Sequence, residues 1–201
     1  MPSLSKTIYA YYDEKTIRVY QAYSDIIADS ALAQGKFVAP PFKMERMTWI
    51  KPSFLWMMYR AGWGYKDANQ KRILAIDLSH EGFVWALNHA CLSRAPAGMD
   101  AAQWQAVKKR CPVRIQWDPE RNMQLNPLPR RSIQIGLSGE AVVRYVHEWT
   151  VRITEITPLA HEICHLVQEN RLDEAQLLLP QERMYPVTAV SGMGNKGQNS
   201  G

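Results

Sequence analysis

Four stretches of this sequence carry charged or amide side chains inside otherwise core-like residues, and each could do chemistry. Arg18, Tyr20 and Gln21 lie in TIRVYQAY, while Arg46, Lys51 and Arg60 bracket the apolar run in RMTWIKPSFLWMMYRAGW. Trp117, Asp118, Glu120 and Arg121 belong to IQWDPER, and Arg131 and Gln134 to RSIQIGL. A buried charge is strongly disfavoured unless it is paired or liganded. Either these groups pair with one another, Arg and Lys against Asp118 and Glu120, or they line a pocket. The excess of Arg and Lys fits a pocket for an anionic small molecule such as a phosphate, carboxylate or nucleotide. On that reading Arg18, Lys51, Arg60, Arg121 and Arg131 contact the anion, and Tyr20, Gln21, Arg46, Trp117 and Gln134 complete the binding surface. Asp118, Glu120 and Glu182 are then the candidate acids and bases.

A fifth segment, His161-Glu162-Ile163-Cys164-His165, matches the HExxH spacing that sets two imidazoles one helical turn apart beside a glutamate base. Its own helix argues against a zinc site. Leu159, Ile163, Leu166 and Val167 form the apolar face, so His161 and His165 fall with Gln168 on nearly the opposite side. No third ligand follows at a fixed spacing, and an exposed histidine pair is the plainer reading, with no metal assigned. No GxxxxGK[ST], GxGxxG or GxSxG string is present, which removes support for P-loop, dinucleotide-fold and nucleophile-elbow chemistry.

The chain has 24 Lys and Arg against 19 Asp and Glu, a net charge of +5 too small to make nucleic acid the favoured partner. Nucleic acid stays an alternative through the seven Trp and nine Tyr, which offer flat surfaces for stacking bases as well as for packing. Three cysteines, without CxxC spacing, argue against a disulfide framework and for a reducing compartment, the cytoplasm or nucleus. The first twelve residues lack the apolar core of a secretion signal. The longest strongly apolar stretch, Pro52 to Tyr59, is too short to span a bilayer, so no membrane partner is expected.

These segments need elements to position them. The β-branched and aromatic run from Thr16 to Tyr23 predicts a strand, followed by a helix from Asp25 to Gln34 between Ser24 and Gly35. Pro52 opens a buried helix that Gly62 closes, and RILAIDL at Arg72 to Leu78 predicts an inner strand. Ser79 starts a helix running to about Cys91, and Asp100 caps another ending at Arg110. Strands are expected at Pro112 to Trp117 and Arg131 to Leu137, with the proline-containing segment Asp118 to Arg130 as a long loop between them. A helix from Ser138 to Trp149, a strand from Thr150 to Glu155 and helices at 157–170 and 173–179 follow, with a last edge strand at 183–187. Strands and helices interleave without strict βαβ alternation, giving one α+β domain over residues 1–187, with a mixed central sheet and helices packed around it. Residues 188–201 have almost nothing to bury and are expected to be disordered.

The strings IRVYQAY, MTWIKPSFLWMMYRAGW, VRIQWDPER and RSIQIGL, with ERMYPV near the end, resemble the family named domain of unknown function 4291. The resemblance runs from about residue 8 to residue 187, and HEICH lies outside its strings. It implies no activity. Function is therefore argued by analogy of order: an ADP-ribosyltransferase-like enzyme, with NAD as cofactor, wants a basic residue and aromatics early and a glutamate late. Arg18, Tyr20, Tyr23 and Glu182 stand in that order. The alternatives are a nucleic-acid-binding domain, a zinc metallohydrolase through HEICH, and a non-enzymatic scaffold whose polar clusters fix the fold.

Overall fold

A computed structural model describes residues 6–186, so the tail expected at 188–201 and Val187 lie outside the described residues. Nine strands form three sheets among those residues. The first large sheet has the order β2-β4-β8, built from Thr16–Tyr23, Arg72–Ser79 and Thr150–Glu155, all antiparallel. RILAIDL occupies its centre because nearly every residue of β4 is buried, as an inner strand requires.

The second large sheet has the order β3-β7-β6-β5, from Thr48–Ile50, Pro127–Leu137, Val113–Arg121 and Ala90–Leu92. Its β5–β6 pair is parallel and the rest antiparallel, which makes it the mixed sheet of this α+β domain. A short ribbon pairs β1 (Tyr9–Ala10) with β9 (Arg183–Met184), fastening the two ends of the described chain together. The two large sheets meet at one bridge, where the Tyr20 amide donates to the Lys51 carbonyl at 2.8 Å.

Helices α1 (Asp25–Gln34), α2 (Phe54–Ala61), α3 (His80–Asn88) and α4 (Ala101–Arg110) match the expected segments, but α2 starts after Pro52, behind Ser53, and the Ser24 side chain makes no cap bond to α1. Ser53, Ser79 and Asp100 accept bonds from backbone amides of the first turns, and Gly35 and Gly62 take the left-handed conformation at the C-termini of α1 and α2. Helix α5 (Glu140–Arg144) runs into a π-helical turn, Tyr145–Trp149, and α6 (Thr157–Gln168) and α7 (Leu172–Leu178) complete the set. One core fills the space around β2, β4, β6 and β7; a second lies between β4, α2 and α6. No helix among the described residues is long and apolar enough to cross a membrane.

The structure corrects the loop expected at 118–130. The strands run on as a hairpin to Arg121 and from Pro127, with the turn at 122–126. The register shifts between Pro119 and Arg121, an irregularity that accommodates a residue without an N–H to give the ladder. Cys91 leaves α3 for the short strand β5, and the helix expected to run from Ser138 begins at Glu140 after the positive-φ Gly139.

Candidate functional site

The segment Trp49 to Phe54 sets the geometry of the site. Trp49 pairs with Gly136 across β3 and β7, and a Cβ at Gly136 would stand 2.9 Å from the Trp49 ring and 2.9 Å from Met47 Sδ. Only glycine lets the indole and Met47 lie so close over the β7 backbone. Two residues on, the Lys51 backbone bridges to Tyr20 and its side chain turns inward, 6% exposed. Its ammonium has one hydrogen bond, a 3.4 Å donation to the Trp49 carbonyl. Burial, with the neighbouring Arg60 charge, pulls the Lys51 amine from 10.5 down to about 7, against an upward pull from Asp118.

Lys51 opens onto a cavity of about 530 Å³ between the end of β2, the segment before β3, α2 and the turn at 67–70. Three more cations line it: Lys43, Arg46 and Arg60. None of the four forms an ion pair among the described residues. The one carboxylate in the lining, Asp67, is occupied within its own turn by the Asn69 amide and the Gln70 side chain, both at 2.8 Å. Phe42, Met47, Trp49 and Met57 give the cavity an apolar side.

On the other side of the α2 N-terminus sit two carboxyls. Glu120 is 3% exposed and accepts from Ser53 Oγ and from the Arg121 amide, both at 2.8 Å. Glu182 accepts from the Phe54 amide at 2.7 Å. Burial pushes Glu182 up from 4.5 to about 8; the Phe54 bond opposes the rise and the Glu120 charge adds to it. Glu182 lines a separate cavity of about 300 Å³ with Arg121 and Arg130. The Arg121 guanidinium lies 3.6 Å from the Tyr59 ring centroid and 5.5 Å from that of Trp56, with one hydrogen bond, to the Leu125 carbonyl.

The thirteen residues singled out in the sequence therefore divide. Gln21, Arg46, Lys51 and Arg60 line the larger cavity, and Arg121 and Glu182 the smaller. Asp118 lies near Lys51 and is held by Gln116 and Gln134 amides at 2.9 and 2.8 Å. Gln21 is also a structural clamp: it donates to the Trp49 carbonyl and accepts from the Tyr145 hydroxyl. Arg18 belongs to neither cavity. It makes two bonds, at 2.7 and 3.0 Å, to Asp77, which Arg152 also binds. The Tyr20 hydroxyl is fully buried without a hydrogen-bond partner among the described residues, with Glu182 among the charges acting on it. Trp117 packs on the main core, and Arg131 is half-buried with no ion pair among the described residues.

Sequence reasoning missed Lys43, Asp67, Asn69, Gln70 and Arg130. The one available signal for Lys43 was its spacing, three residues before Arg46 in the strand-poor stretch ahead of β3. In HEICH, His161 stacks on Tyr65 with centroids 4.2 Å apart, and its buried Nε2 has no hydrogen-bond partner among the described residues. His165 faces Glu169 at 3.3 Å. No three His, Cys, Asp or Glu side chains among the described residues are grouped to hold a metal ion.

A family model described as Domain of unknown function (DUF4291) matches residues 7–185. The chain belongs to this family. None of the curated proteins matches it. The matched span of the DUF4291 domain contains every residue that lines the two cavities, but its description carries no activity, so the function has to be read from the site.

Proposed function

We propose that the larger cavity of this DUF4291 domain binds a phosphorylated small molecule of nucleotide size. The observation that carries the reading is Lys51, a buried amine that lies in a ligand-sized cavity and forms no ion pair among the described residues, beside Arg60 and within a lining that includes Lys43 and Arg46. An anion entering there supplies the missing partner, and the apolar side accepts a flat ring or chain. A lysine titrating near neutrality also exchanges a proton with what binds, the acid–base capacity an enzyme at this site would use.

Two features weigh against the NAD-transferase arrangement. Arg18 is engaged by Asp77, and Glu182 opens into the other cavity, so the early arginine and late glutamate do not face one ligand. For nucleic acid, the basic residues are gathered in a concave pocket rather than along an extended face.

The test is a melting-shift and calorimetry panel of pyrophosphate, AMP, NAD, single-stranded RNA and sulfate. A ligand at about a hundred times its dissociation constant adds about 2.7 kcal/mol, which raises the midpoint of a domain this size by roughly 5–10 °C. Sulfate keeps its charge near neutrality, so it isolates Lys51. Its affinity should be flat below pH 7 and fall toward tenfold per unit above it as the amine loses its proton. No binding by pyrophosphate, AMP or sulfate at any pH would remove the reading, and a shift with RNA alone would favour a nucleic-acid interface.

A further inference from the structure

We propose that Lys51 is a nucleophile, and that the ligands of the cavity include phosphorylated aldehydes or ketones, which it captures as an imine. The inference rests on the anion cleft proposed above and adds the substrate class and the reacting atom.

The lining narrows the chemistry. It contains no Cys and no His among the described residues, so no thiolate or imidazole is present to attack or to activate a hydroxyl. Ser24 and Thr48 are the aliphatic hydroxyls in the lining, and the one carboxylate there, Asp67, is committed to Asn69 and Gln70. A primary amine needs no separate base once it is neutral. Lys51 meets both conditions that make a lysine reactive: it is removed from water at 6% exposure, and a second cation, Arg60, stands beside it. Asp118, anchored by Gln116 and Gln134, is the acidic group that acts on the amine from the β6 side. Lys43 shares the cavity but stands exposed at its rim.

The reaction balances without an oxidant or reductant. The Nζ lone pair attacks the carbonyl carbon, the C=O π pair moves to the oxygen and takes the first proton that Nζ gives up, and a carbinolamine forms. Nζ then loses its second proton and the carbon its hydroxyl, as water, leaving C=N. Arg46 and Arg60, which line the cavity with Lys51, hold the phosphate. At pH 7.5 an amine titrating near 7 carries on the order of several hundred-fold more neutral form than an exposed lysine. Its lower basicity gives back part of that advantage.

The experiment uses pyridoxal 5′-phosphate as the phosphorylated aldehyde and pyridoxal as its unphosphorylated control. Each is incubated with the full chain at pH 7.5, reduced with borohydride and mapped by peptide mass spectrometry. Lys51 should be modified at least about tenfold faster than any other lysine, faster with the phosphate than without it, and pyrophosphate should protect it. Lys51→Arg should abolish that modification, with a cooperative thermal melt showing that the variant is folded. The protection measurement in the unaltered protein serves if the variant does not fold. Modification spread over exposed lysines with Lys51 untouched, while pyrophosphate still binds, overturns the nucleophile and leaves the cleft standing. Equal modification by the two aldehydes, with no pyrophosphate binding, overturns the cleft and the proposed substrate class with it.

Discussion

Replacing Lys51 with methionine should make the protein more stable at low pH than at high pH relative to the unaltered chain, because the buried amine is a liability only while it is charged. Methionine matches the length of the stem and packs beside Met57 without a charge. The native Lys51 amine titrates at about 7 against 10.5 for an ordinary lysine, so between those values the unfolded chain holds the proton that the folded chain has released. Stability contributed by this residue therefore rises with pH from 7 to 10.5, at about 1.4 kcal/mol per unit, and is flat below 7. Between pH 6 and pH 9 the advantage of the methionine variant should shrink by roughly 2–3 kcal/mol. Urea unfolding of both proteins at four pH values across that range measures it, since groups common to both cancel in the difference. Saturating sulfate should flatten the pH dependence of the unaltered protein, because the anion restores the proton to Lys51. Two parallel stability profiles would refute the reasoning: they would mean that the amine reaches water or a carboxylate in solution, and that its burial has no bearing on anion binding.

Glu182→Gln should behave in the opposite sense. Glu182 titrates at about 8 when folded and 4.5 when not, so its contribution falls as pH rises through that window, and the glutamine variant, which keeps the acceptor for Phe54, should gain on the parent from pH 5 to pH 8 in thermal melts. Asp77→Asn should cost about 3 kcal/mol in urea unfolding by stranding Arg18, while leaving pyrophosphate affinity unchanged. Weakened affinity there would return Arg18 to the ligand. The Asp77 carboxyl is raised by burial but lowered further by Arg18 and Arg152, so its contribution is present at neutral pH and lost as pH falls through its depressed folded value. Gly136→Ala should displace Trp49 and Met47, cost about 1–3 kcal/mol and weaken sulfate binding, whereas a change in stability alone would show that the cavity does not depend on β3.

Much of the framework was legible because it is local. Ser79 and Asp100 bond to amides two or three residues away, and Gly35 and Gly62 adopt the conformation that ends their helices, so a short window of sequence holds the relevant physics; α2 instead starts behind a Ser53 cap, with Pro52 outside it. The burial of Lys51 was legible for a related reason: apolar residues flank it closely on both sides. The hairpin at 118–130 was not, because its prolines read as a loop, and only the register shift after Pro119 and the partner strand β7 show how a ladder absorbs them.

The α+β class, the family, most element boundaries and the excess of cations over acids in these segments follow from residue order alone. Which cations stay unpaired was decided by tertiary structure alone. Arg18 finds Asp77 across 59 residues, Ser53 finds Glu120 across 67, and Glu182 reaches the Phe54 amide across 128. Lys51, in the same sequence neighbourhood, forms no ion pair among the described residues and faces a cavity. Charge pairing acts over a few ångströms in space, and chain separation carries no information about it until the sheets have met.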